Sequence, residues 1–334
     1  MYEVIIMPFT PRKSTLLIVG FYTLLFLFTT FVLLYEFVIP HGGIIVEEPV
    51  ITRTTSATTT TTLLLDTLTT ELTTTTEITT QGLTYPGEAP QVLSEGTILG
   101  SYYTDTVLIT IYQIRATNSD VYVADVVVID PYEILSAFAY NTFGGSNITQ
   151  TVSTMAIEHD AIFAINSDYA SHYSSGYVIR NGQLLRSTES YRSAITLWAD
   201  GSVSIFPESS TTAEAVLAQN AWQLWSFGPP LIINDEYVAT VNDGLDRDAV
   251  NNPRSAFGVI DKNHFVFVCV DGRTDISHGA DIEELADIMV SLNCHNAYNF
   301  DGGGSATMWF DGQVINRPSE GTERKVGDCV YIKR

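Results

Sequence analysis

Three stretches of the chain differ in how apolar and polar positions follow one another. Thr15 to Tyr35 is an apolar run of 21 residues without a charge, and as a helix it would span about 30 Å, one hydrocarbon core. Ile51 to Gln81 is dominated by threonine. From about Gly82 onward, short β-branched and aromatic runs are separated by turn residues, as is typical of strands. The pattern therefore predicts an anchor, a stalk and a folded domain.

The apolar run predicts a membrane helix that is not cleaved. Arg12 and Lys13 precede it, so the positive-inside rule keeps the N-terminal tail in the cytoplasm and places the chain after Pro40 outside or in a lumen. A cleaved signal peptide is the alternative, but the run is long for one and no Ala-x-Ala-like site follows. The expected boundaries are a cytoplasmic tail over 1–13, a transmembrane signal anchor over 14–40, a stalk over 41–81 and a folded domain over 82–334.

The threonine-rich segment cannot bury enough apolar area to offset the entropy of ordering it, so we expect a disordered stalk. In the folded domain, Leu108 to Ile114 and Val121 to Ile129 are strand-like, and Thr212 to Trp222 looks helical. The clearest helix begins at the N-cap Asp281, with Glu284 three residues on in a capping-box pattern. Strands outnumber helices and hairpins recur. We therefore expect an α+β fold with a mixed β-sheet and a few packed helices.

Composition narrows the classes of function. The net charge of −22 argues against nucleic acid as a partner and against adhesion to anionic lipid, but an anionic substrate remains compatible if arginines gather locally. Cys269, Cys294 and Cys329 are too few for a disulfide framework and, with the six histidines, show no metal-site spacing. Asn147-Ile-Thr149 is a glycosylation sequon, relevant in a host that glycosylates.

The run Asn299-Phe-Asp-Gly-Gly-Gly-Ser-Ala-Thr-Met308 points most strongly to chemistry. Glycine loses the most backbone entropy on ordering, so Gly302, Gly303 and Gly304 indicate a loop that approaches something closely. We expect its N–H groups to hold an anion, between the Asp301 carboxylate and the Ser305 hydroxyl. A glycine-rich turn without a ligand is the alternative.

Asn166, Asp271 and Asp301 each come directly after a predicted strand. If those strands run in the same direction, the three side chains open onto one edge of a sheet, where binding sites are commonly built. A turn-forming Asn or Asp is the simpler interpretation of each residue taken alone. Their combination with the glycine loop favours a site.

Arg254, Arg273 and Arg324 lie in or beside these motifs. A guanidinium binds phosphate through paired donors and stays charged, so in so acidic a chain a local anion explains these arginines best. Ion pairing with sequence neighbours, such as Asp275 or Glu323, is the alternative, and it contributes only about 0–1 kcal/mol at a surface.

The ordered set of motifs resembles the phosphodiester glycosidase family over roughly Ala156 to Ile332. The further segments that carry the resemblance are Ala164-Ile-Asn166, Gly176-Tyr-Val-Ile-Arg-Asn-Gly-Gln183, Asn252-Pro-Arg-Ser-Ala-Phe-Gly258, Asp271-Gly-Arg273 and Asn316-Arg-Pro-Ser319. It implies that the domain over 82–334 hydrolyses a sugar–phosphate diester, of the N-acetylglucosamine type, on a glycan or exopolysaccharide. Family members commonly follow Ala-Ile-Asn with two glycines. Here Asp168 stands in that region. A role in substrate choice is one interpretation, and we favour a solvated turn residue.

The resemblance also implies roles for the site residues. Cleavage at the anomeric carbon expels a phosphate monoester, whose second pKa near 6 makes it a far better leaving group than a sugar alkoxide. One carboxylate then suffices where ordinary glycosidases use two. We expect Asp301 as base or nucleophile, Asp271 orienting it or sharing its proton, and Ser305 donating a hydrogen bond. The expected phosphate ligands are Arg254, Arg273, Arg324 and the amides of Gly302, Gly303 and Gly304, with Asn166 at the same edge.

Other interpretations remain open. Ser305 as a nucleophile, with His278 as its base, is one of them. A non-catalytic module that binds phosphoglycan or carbohydrate is another, and a phosphodiesterase with Mg²⁺ or Ca²⁺ held by Asp271 and Asp301 is a third. Trp222, Trp225 and Trp309 are candidate platforms for a sugar ring, although aromatics at such positions are usually core, as we expect for Trp225. We expect no required cofactor, a membrane contact through the N-terminal helix, and no nucleic-acid partner.

Overall fold

A computed structural model describes residues 13–49, 83, 87–240 and 249–334. The expected cytoplasmic tail, apart from Lys13, and residues 50–81 of the expected stalk lie outside the described residues. Strands outnumber helices throughout the described part, which confirms the α+β class. Its α-helices are Lys13–Phe37 (α1), Gln91–Ser94 (α2), Val152–Glu158 (α3), Ala213–Ala218 (α4) and Ile282–Ser291 (α5).

The described strands fall into four sheets. In chain order they are Ile44–Ile45 (β1), Thr97–Tyr103 (β2), Val107–Ala116 (β3), Ser119–Val128 (β4), Leu135–Phe138 (β5), Thr142–Phe143 (β6), Ala161–Asn166 (β7), Val178–Arg180 (β8), Gln183–Arg186 (β9), Ser193–Trp198 (β10), Val203–Pro207 (β11), Ala221–Trp225 (β12), Pro230–Ile233 (β13), Glu236–Tyr237 (β14), Arg254–Asp261 (β15), His264–Val270 (β16), Asn296–Asn299 (β17), Met308–Phe310 (β18), Gln313–Val314 (β19) and Asp328–Lys333 (β20). The sheet orders are β14-β13-β17-β15-β16-β4-β3-β2, β19-β18-β7-β20-β5, β11-β10-β12-β8-β9 and β1-β6.

The eight-stranded sheet brings two predicted site residues to one edge. Strands β16 and β17 both pair antiparallel with β15, which lies between them, so they run in the same direction. Asp271 and Asp301 follow these two strands and therefore leave the sheet where β15 begins, at Arg254. Every strand pair in the described residues is antiparallel, in place of the mixed sheet we expected, because an intervening strand supplies the common direction.

Strand β7 reaches the same edge from the five-stranded sheet. The two sheets share one apolar core, in which the rings of Phe163 and Phe267 lie 5.2 Å apart. Within the five-stranded sheet, β7 lies between β18 and β20, so both neighbours fix its end at Asn166. A side chain from a separate sheet is thus placed beside the ends of β16 and β17.

The predicted helix at Asp281 is confirmed. The Asp281 carboxylate accepts from the Glu284 amide at 2.8 Å, and the Glu284 carboxylate accepts from the Asp281 amide at 3.0 Å, which completes the capping box. The helix predicted over Thr212 to Trp222 is too long. It ends at Ala218, because Asn220 takes a left-handed conformation (φ 66°) and β12 then begins.

Helix α1 and the segment after it differ in their surroundings. Residues 18–37 of α1 have a mean hydropathy of 2.1 and none is buried, so the helix is long and apolar enough to cross a membrane. Residues 41–49, which we expected to begin the stalk, lie instead on the domain. There β1 pairs with β6, and Val46 is buried beside Phe138 and Phe143.

Candidate active site

Asn166, at the end of β7, is hydrogen bonded to the start of β15 and to the glycine loop after β17. Its side-chain amide donates to the Asp301 carbonyl at 2.5 Å, and its oxygen accepts from the Ser255 hydroxyl at 2.7 Å and from the Thr307 amide at 3.2 Å. Asn166 is buried, and its bonds with Ser255 and Thr307 are made away from water. It thereby fixes both ends of the glycine loop to β7 and β15, which makes it a positioning residue.

Asp301 stands at the start of that loop. Its amide donates to the Ser167 carbonyl at 3.1 Å, and its carboxylate accepts from the Ser305 hydroxyl and the Gly302 amide. Burial raises the pKa of Asp301 to about 6, although the two hydrogen bonds and the nearby Arg324 act in the opposite direction. The carboxylate is therefore ionised at neutral pH and protonated in mild acid.

Asp271 is held by a separate set of donors. It accepts from the Arg317 amide at 2.9 Å and from the Asn316 side chain at 3.3 Å, and burial raises its pKa to about 6. Asn316 also donates to the Ala306 carbonyl at 3.1 Å. Asp271 thus reaches the far end of the glycine loop through Asn316. This arrangement favours the orienting role over direct sharing of a proton with Asp301.

The glycine loop does not form the expected cradle of three free amides. The Gly303 amide donates to the Pro253 carbonyl at 2.8 Å, and the Gly302 amide is directed at the Asp301 carboxylate. A Cβ at Gly302 would lie 2.6 Å from that same Pro253 oxygen, so glycine is required there for the approach of the two backbones. The loop's amides therefore serve mainly to fix the loop and to stabilise Asp301.

The predicted arginines divide into two groups. The Arg273 and Arg324 side chains pack against the glycine loop. A Cβ at Gly303 would lie 3.0 Å from the Arg273 guanidinium, and a Cβ at Gly304 would collide with the Arg324 guanidinium. Arg273 also donates to the Asn252 side-chain oxygen at 2.9 Å.

Arg254 is buried beneath the loop and donates to the carbonyls of Ala280, at 2.8 Å, and Val250, at 3.1 Å. These two bonds fix the local backbone. Arg273 and Arg324 are therefore better placed than Arg254 to meet a phosphate.

The alternative nucleophile receives no support from this geometry. The Ser305 hydroxyl is directed at Asp301, whereas His278 is exposed and bonds through its backbone to Asn118. No three His, Cys, Asp or Glu side chains in the described part of the chain are grouped as a metal site would require. The three cysteines are buried and free.

Comparison with known proteins then decides the family. The family profile described as phosphodiester glycosidase matches residues 159–333, just over half of the chain. The chain belongs to the phosphodiester glycosidase family. The resemblance expected from the motifs is thereby confirmed.

Three relatives are similar over part of their length. The SPbeta prophage-derived uncharacterized protein YomE of Bacillus subtilis is 28% identical over 202 residues, 58% of this chain and 31% of the relative. The bovine N-acetylglucosamine-1-phosphodiester alpha-N-acetylglucosaminidase is 29% identical over 105 residues (30% and 20%), and the human protein of that name is 32% identical over 80 residues (24% and 15%). The chain thus spans about a third or less of these relatives.

Solved structures share the fold. The catalytic domain of the zebrafish N-acetylglucosamine-1-phosphodiester alpha-N-acetylglucosaminidase, auto-inhibited by its pro-peptide, superposes with a TM-score of 0.55 at 22% identity, covering 74% of this chain and 87% of that one. A hypothetical protein from Synechocystis gives 0.54 at 15% identity, covering 71% and 63%. Both matches show a common architecture.

Asp168 is where this member of the family departs from the expected pattern, and the expectation of a solvated turn residue is wrong. Asp168 is fully buried and pairs with the buried Arg180 at 2.5 Å, and it also accepts from the Ser226 amide at 2.8 Å. Arg180 lies 3.3 Å from Asp328 as well, whose pKa is raised to about 7 by burial and by Asp168. The guanidinium compensates the charge of Asp168, so burial is tolerated.

An aromatic loop, residues 169–173, lies beside the site and was not predicted from the sequence. It follows Ser167, whose carbonyl holds Asp301. The Tyr169 ring stacks on His172 at 3.9 Å, and the Arg192 guanidinium lies 4.0 Å from the centre of the Tyr173 ring. The proposed tryptophan platforms are buried in the core instead. The run of Tyr, His and Tyr after Ala-Ile-Asn was the available signal.

Proposed function

We propose that this chain is a membrane-tethered hydrolase that cleaves a glycosyl phosphodiester of the N-acetylglucosamine type on an extracytoplasmic glycan. Asp301 carries the proposal: a carboxylate with a pKa of about 6, hydrogen bonded by Ser305 and accompanied by Arg273 and Arg324 on one loop. Membership of the phosphodiester glycosidase family and the names of the mammalian relatives support the choice of bond and sugar.

The chemistry follows from the leaving group. Asp301, ionised at neutral pH, attacks the anomeric carbon or activates the water that does so. The sugar–oxygen bond breaks, and its electron pair leaves with the phosphate monoester. Arg273 and Arg324 stabilise the departing charge, because fixed cations favour the site of developing negative charge. Ser305 holds the carboxylate in position.

The arginines meet the phosphate by exchanging partners. Arg324 pairs with Glu320, and both side chains are almost half exposed. Such a surface pair contributes only about 0–1 kcal/mol. A phosphate, which accepts paired guanidinium donors, therefore competes effectively with Glu320. Arg273 likewise releases the Asn252 side-chain oxygen and binds the phosphate in its place.

No divalent cation is required in this scheme. Asp301 is bonded by Ser305 and Gly302, and Asp271 by Asn316 and Arg317, so the two carboxylates have different donors. Activity that survives chelation supports the metal-free scheme. Loss of activity on chelation, restored by Mg²⁺ or Ca²⁺, would replace it with the phosphodiesterase alternative.

Helix α1 is proposed as the tether. Its residues 18–37 are apolar and unburied, and the basic residues Arg12 and Lys13 favour a cytoplasmic N-terminus. The domain would then lie outside the cell or in a lumen. Flotation of the full chain with vesicles, resistant to carbonate and to high salt, tests the span.

The function is tested with the full chain in detergent micelles and a methyl phosphodiester of N-acetylglucosamine. We expect wild-type turnover and a loss of about a thousandfold or more in Asp301→Asn, with binding retained. In ¹⁸O-labelled water the label should enter the sugar. Label in the phosphate would show P–O cleavage and contradict the assignment, and binding without turnover in the wild type would indicate a binding module.

A further inference from the structure

The segment that follows the membrane helix is bonded to the catalytic domain along its length. We name residues 38–49 the strap. Its Gly42 and Gly43 pack backbone to backbone against Gly144 and Gly145, all four with positive φ. A Cβ at Gly145 would lie 2.7 Å from the His41 carbonyl. A Cβ at Gly43 would lie 2.8 Å from the Gly144 carbonyl oxygen, so Gly43 and Gly145 permit an approach that side chains would block.

The domain also caps the end of helix α1. The Asn147 side-chain amide donates to the carbonyls of Glu36 and Ile39, at 3.1 and 3.4 Å. These carbonyls lie at the end of the helix, where acceptors are left without intrahelical partners. The Tyr35 ring stacks on His41 at 4.0 Å, and the His41 backbone exchanges two hydrogen bonds with Ser146.

The rest of the strap continues these contacts. Strand β1 pairs with β6, and Val46 is buried in the domain. Glu48 then accepts from Lys333 at 2.7 Å and from Tyr331 at 3.2 Å. Burial opposes the ionised form of Glu48, but these partners outweigh it and lower its pKa. The strap is thus fixed at both of its ends.

These contacts set the distance between helix and domain. Helix α1 ends at Phe37, and the His41 backbone is bonded to Ser146. An extended chain between these two residues spans at most about 14 Å. The chain contacts the domain again at Ala89, which packs on the core, so described residues on both sides of the threonine-rich segment contact the domain. That segment does not separate the domain from the membrane helix.

Apolar side chains are exposed at this junction. Ile44 and Ile45 are 53% and 76% exposed on β1, and the neighbouring Tyr140 is 52% exposed. Aliphatic and tyrosine side chains of this kind are suited to the interface of a bilayer. The net charge of −22 disfavours anionic lipid, so the fitting partner is a neutral headgroup region.

We propose that the strap holds the catalytic domain directly on the outer surface of the membrane, with Ile44, Ile45 and Tyr140 in contact with neutral lipid. This inference rests on the membrane span in the proposed function. It replaces a domain held away from the membrane on a stalk by one docked at the surface.

The test uses the full chain in phosphatidylcholine vesicles that contain a headgroup-linked quencher. A fluorophore is attached to Ile45→Cys, to Tyr140→Cys, and, as a control, to Glu236→Cys on the exposed edge strand β14. The native cysteines are buried, so the label is directed to the introduced one. We expect quenching at 45 and 140 to exceed that at 236 several-fold. Equal quenching at the three positions would overturn the proposal.

Gly145→Ala should displace the strap from the domain. Asn147→Ala removes the bonds to the end of α1 without adding bulk, and it serves as a second variant if Gly145→Ala does not fold. Either should abolish the excess quenching at 45 while flotation and turnover of a soluble diester persist. Excess quenching that survives both variants would overturn the role of the strap. Failure of the full chain to float with vesicles would instead contradict the proposed membrane span. Turnover in micelles tests the proposed hydrolase activity separately.

Discussion

The side-chain amide of Asn166 donates to the main-chain carbonyl of Asp301 at 2.5 Å, across the boundary between two sheets. The same side chain accepts from Ser255 and Thr307. One residue thus connects the five-stranded sheet with the strand and loop that present the candidate catalytic carboxylate. These groups are paired away from water, which makes the connection sensitive to substitution.

Asn166→Ala should destabilise the domain. It would leave the Ser255 hydroxyl and the Thr307 amide without a partner, at about 1–3 kcal/mol for each buried group. Urea unfolding measures the difference. Asn251→Ala, at an exposed asparagine, is the matched control and should change stability by less than about 1 kcal/mol. An Asn166→Ala variant as stable as the control would show that the hydrogen bonds of Asn166 do not stabilise the domain.

The rate should depend on the ionisation of Asp301. A base or nucleophile must be deprotonated, and burial raises the pKa of this carboxyl to about 6. We therefore expect kcat/KM to increase about tenfold per pH unit below about 6 and to level off above it. A profile that stays flat from pH 5 to 8 would exclude Asp301 from that role.

Asp271→Asn should stabilise the domain at neutral pH. The pKa of Asp271 is about 6 in the folded state and 3.8 for an aspartate free in water, so the folded state binds the proton more tightly than the unfolded chain does. Stability therefore falls as pH rises from about 4 to 6 and stays lower above that window. At about 1.36 kcal/mol per pKa unit the gain is at most about 3 kcal/mol at a pH of about 7.5. The variant and wild type should converge near pH 4, and a constant difference at all pH values would contradict the assignment.

Glu320→Gln should strengthen binding of the phosphodiester. It frees the Arg324 guanidinium, so KM should fall a few-fold with little change in kcat. Arg324→Gln should raise KM. Asp200→Asn, which removes a partner of Lys262 in another surface pair, is the control and should leave both constants unchanged. An unchanged KM in both Glu320→Gln and Arg324→Gln would remove Arg324 from phosphate binding.

Neighbouring glycines should differ in their tolerance of alanine. At Gly302 the added Cβ meets the Pro253 carbonyl, a rigid backbone atom, so about 1–3 kcal/mol of stability should be lost. At Gly304 it meets the ends of the Arg324 and Glu320 side chains, which can move. Gly304→Ala should therefore raise KM and change thermal stability less than Gly302→Ala. The reverse order would contradict this account of the loop.

Local patterns predicted much of the molecule. The capping box at Asp281 is encoded within a few residues, and it is present. The sequence also predicted that Asp271 and Asp301 lie at one edge of the sheet, because residues that follow strands of the same direction leave the sheet at the same edge. These features depend on sequence neighbours or on strand direction alone.

Long-range pairing could not be predicted in the same way. Asp168 was interpreted as solvated because nothing near it in sequence indicates that Arg180 and Asp328 meet it in the core. The Gly303 amide was assigned to an anion, since its acceptor, the Pro253 carbonyl, lies far earlier along the chain. Each of these partners is fixed by the packing of separate strands.

The strap has a consequence for how the chain can vary. Glu48 is bonded to the last strand, and Ala89 packs on the core. In the proposed membrane-docked arrangement, the number of residues between them therefore does not determine the distance from Asp301 to the bilayer. Lengthening or shortening the threonine run would leave the height of the catalytic edge unchanged. Insertion of residues between Phe37 and His41, in contrast, would change the proposed distance between the domain and the membrane.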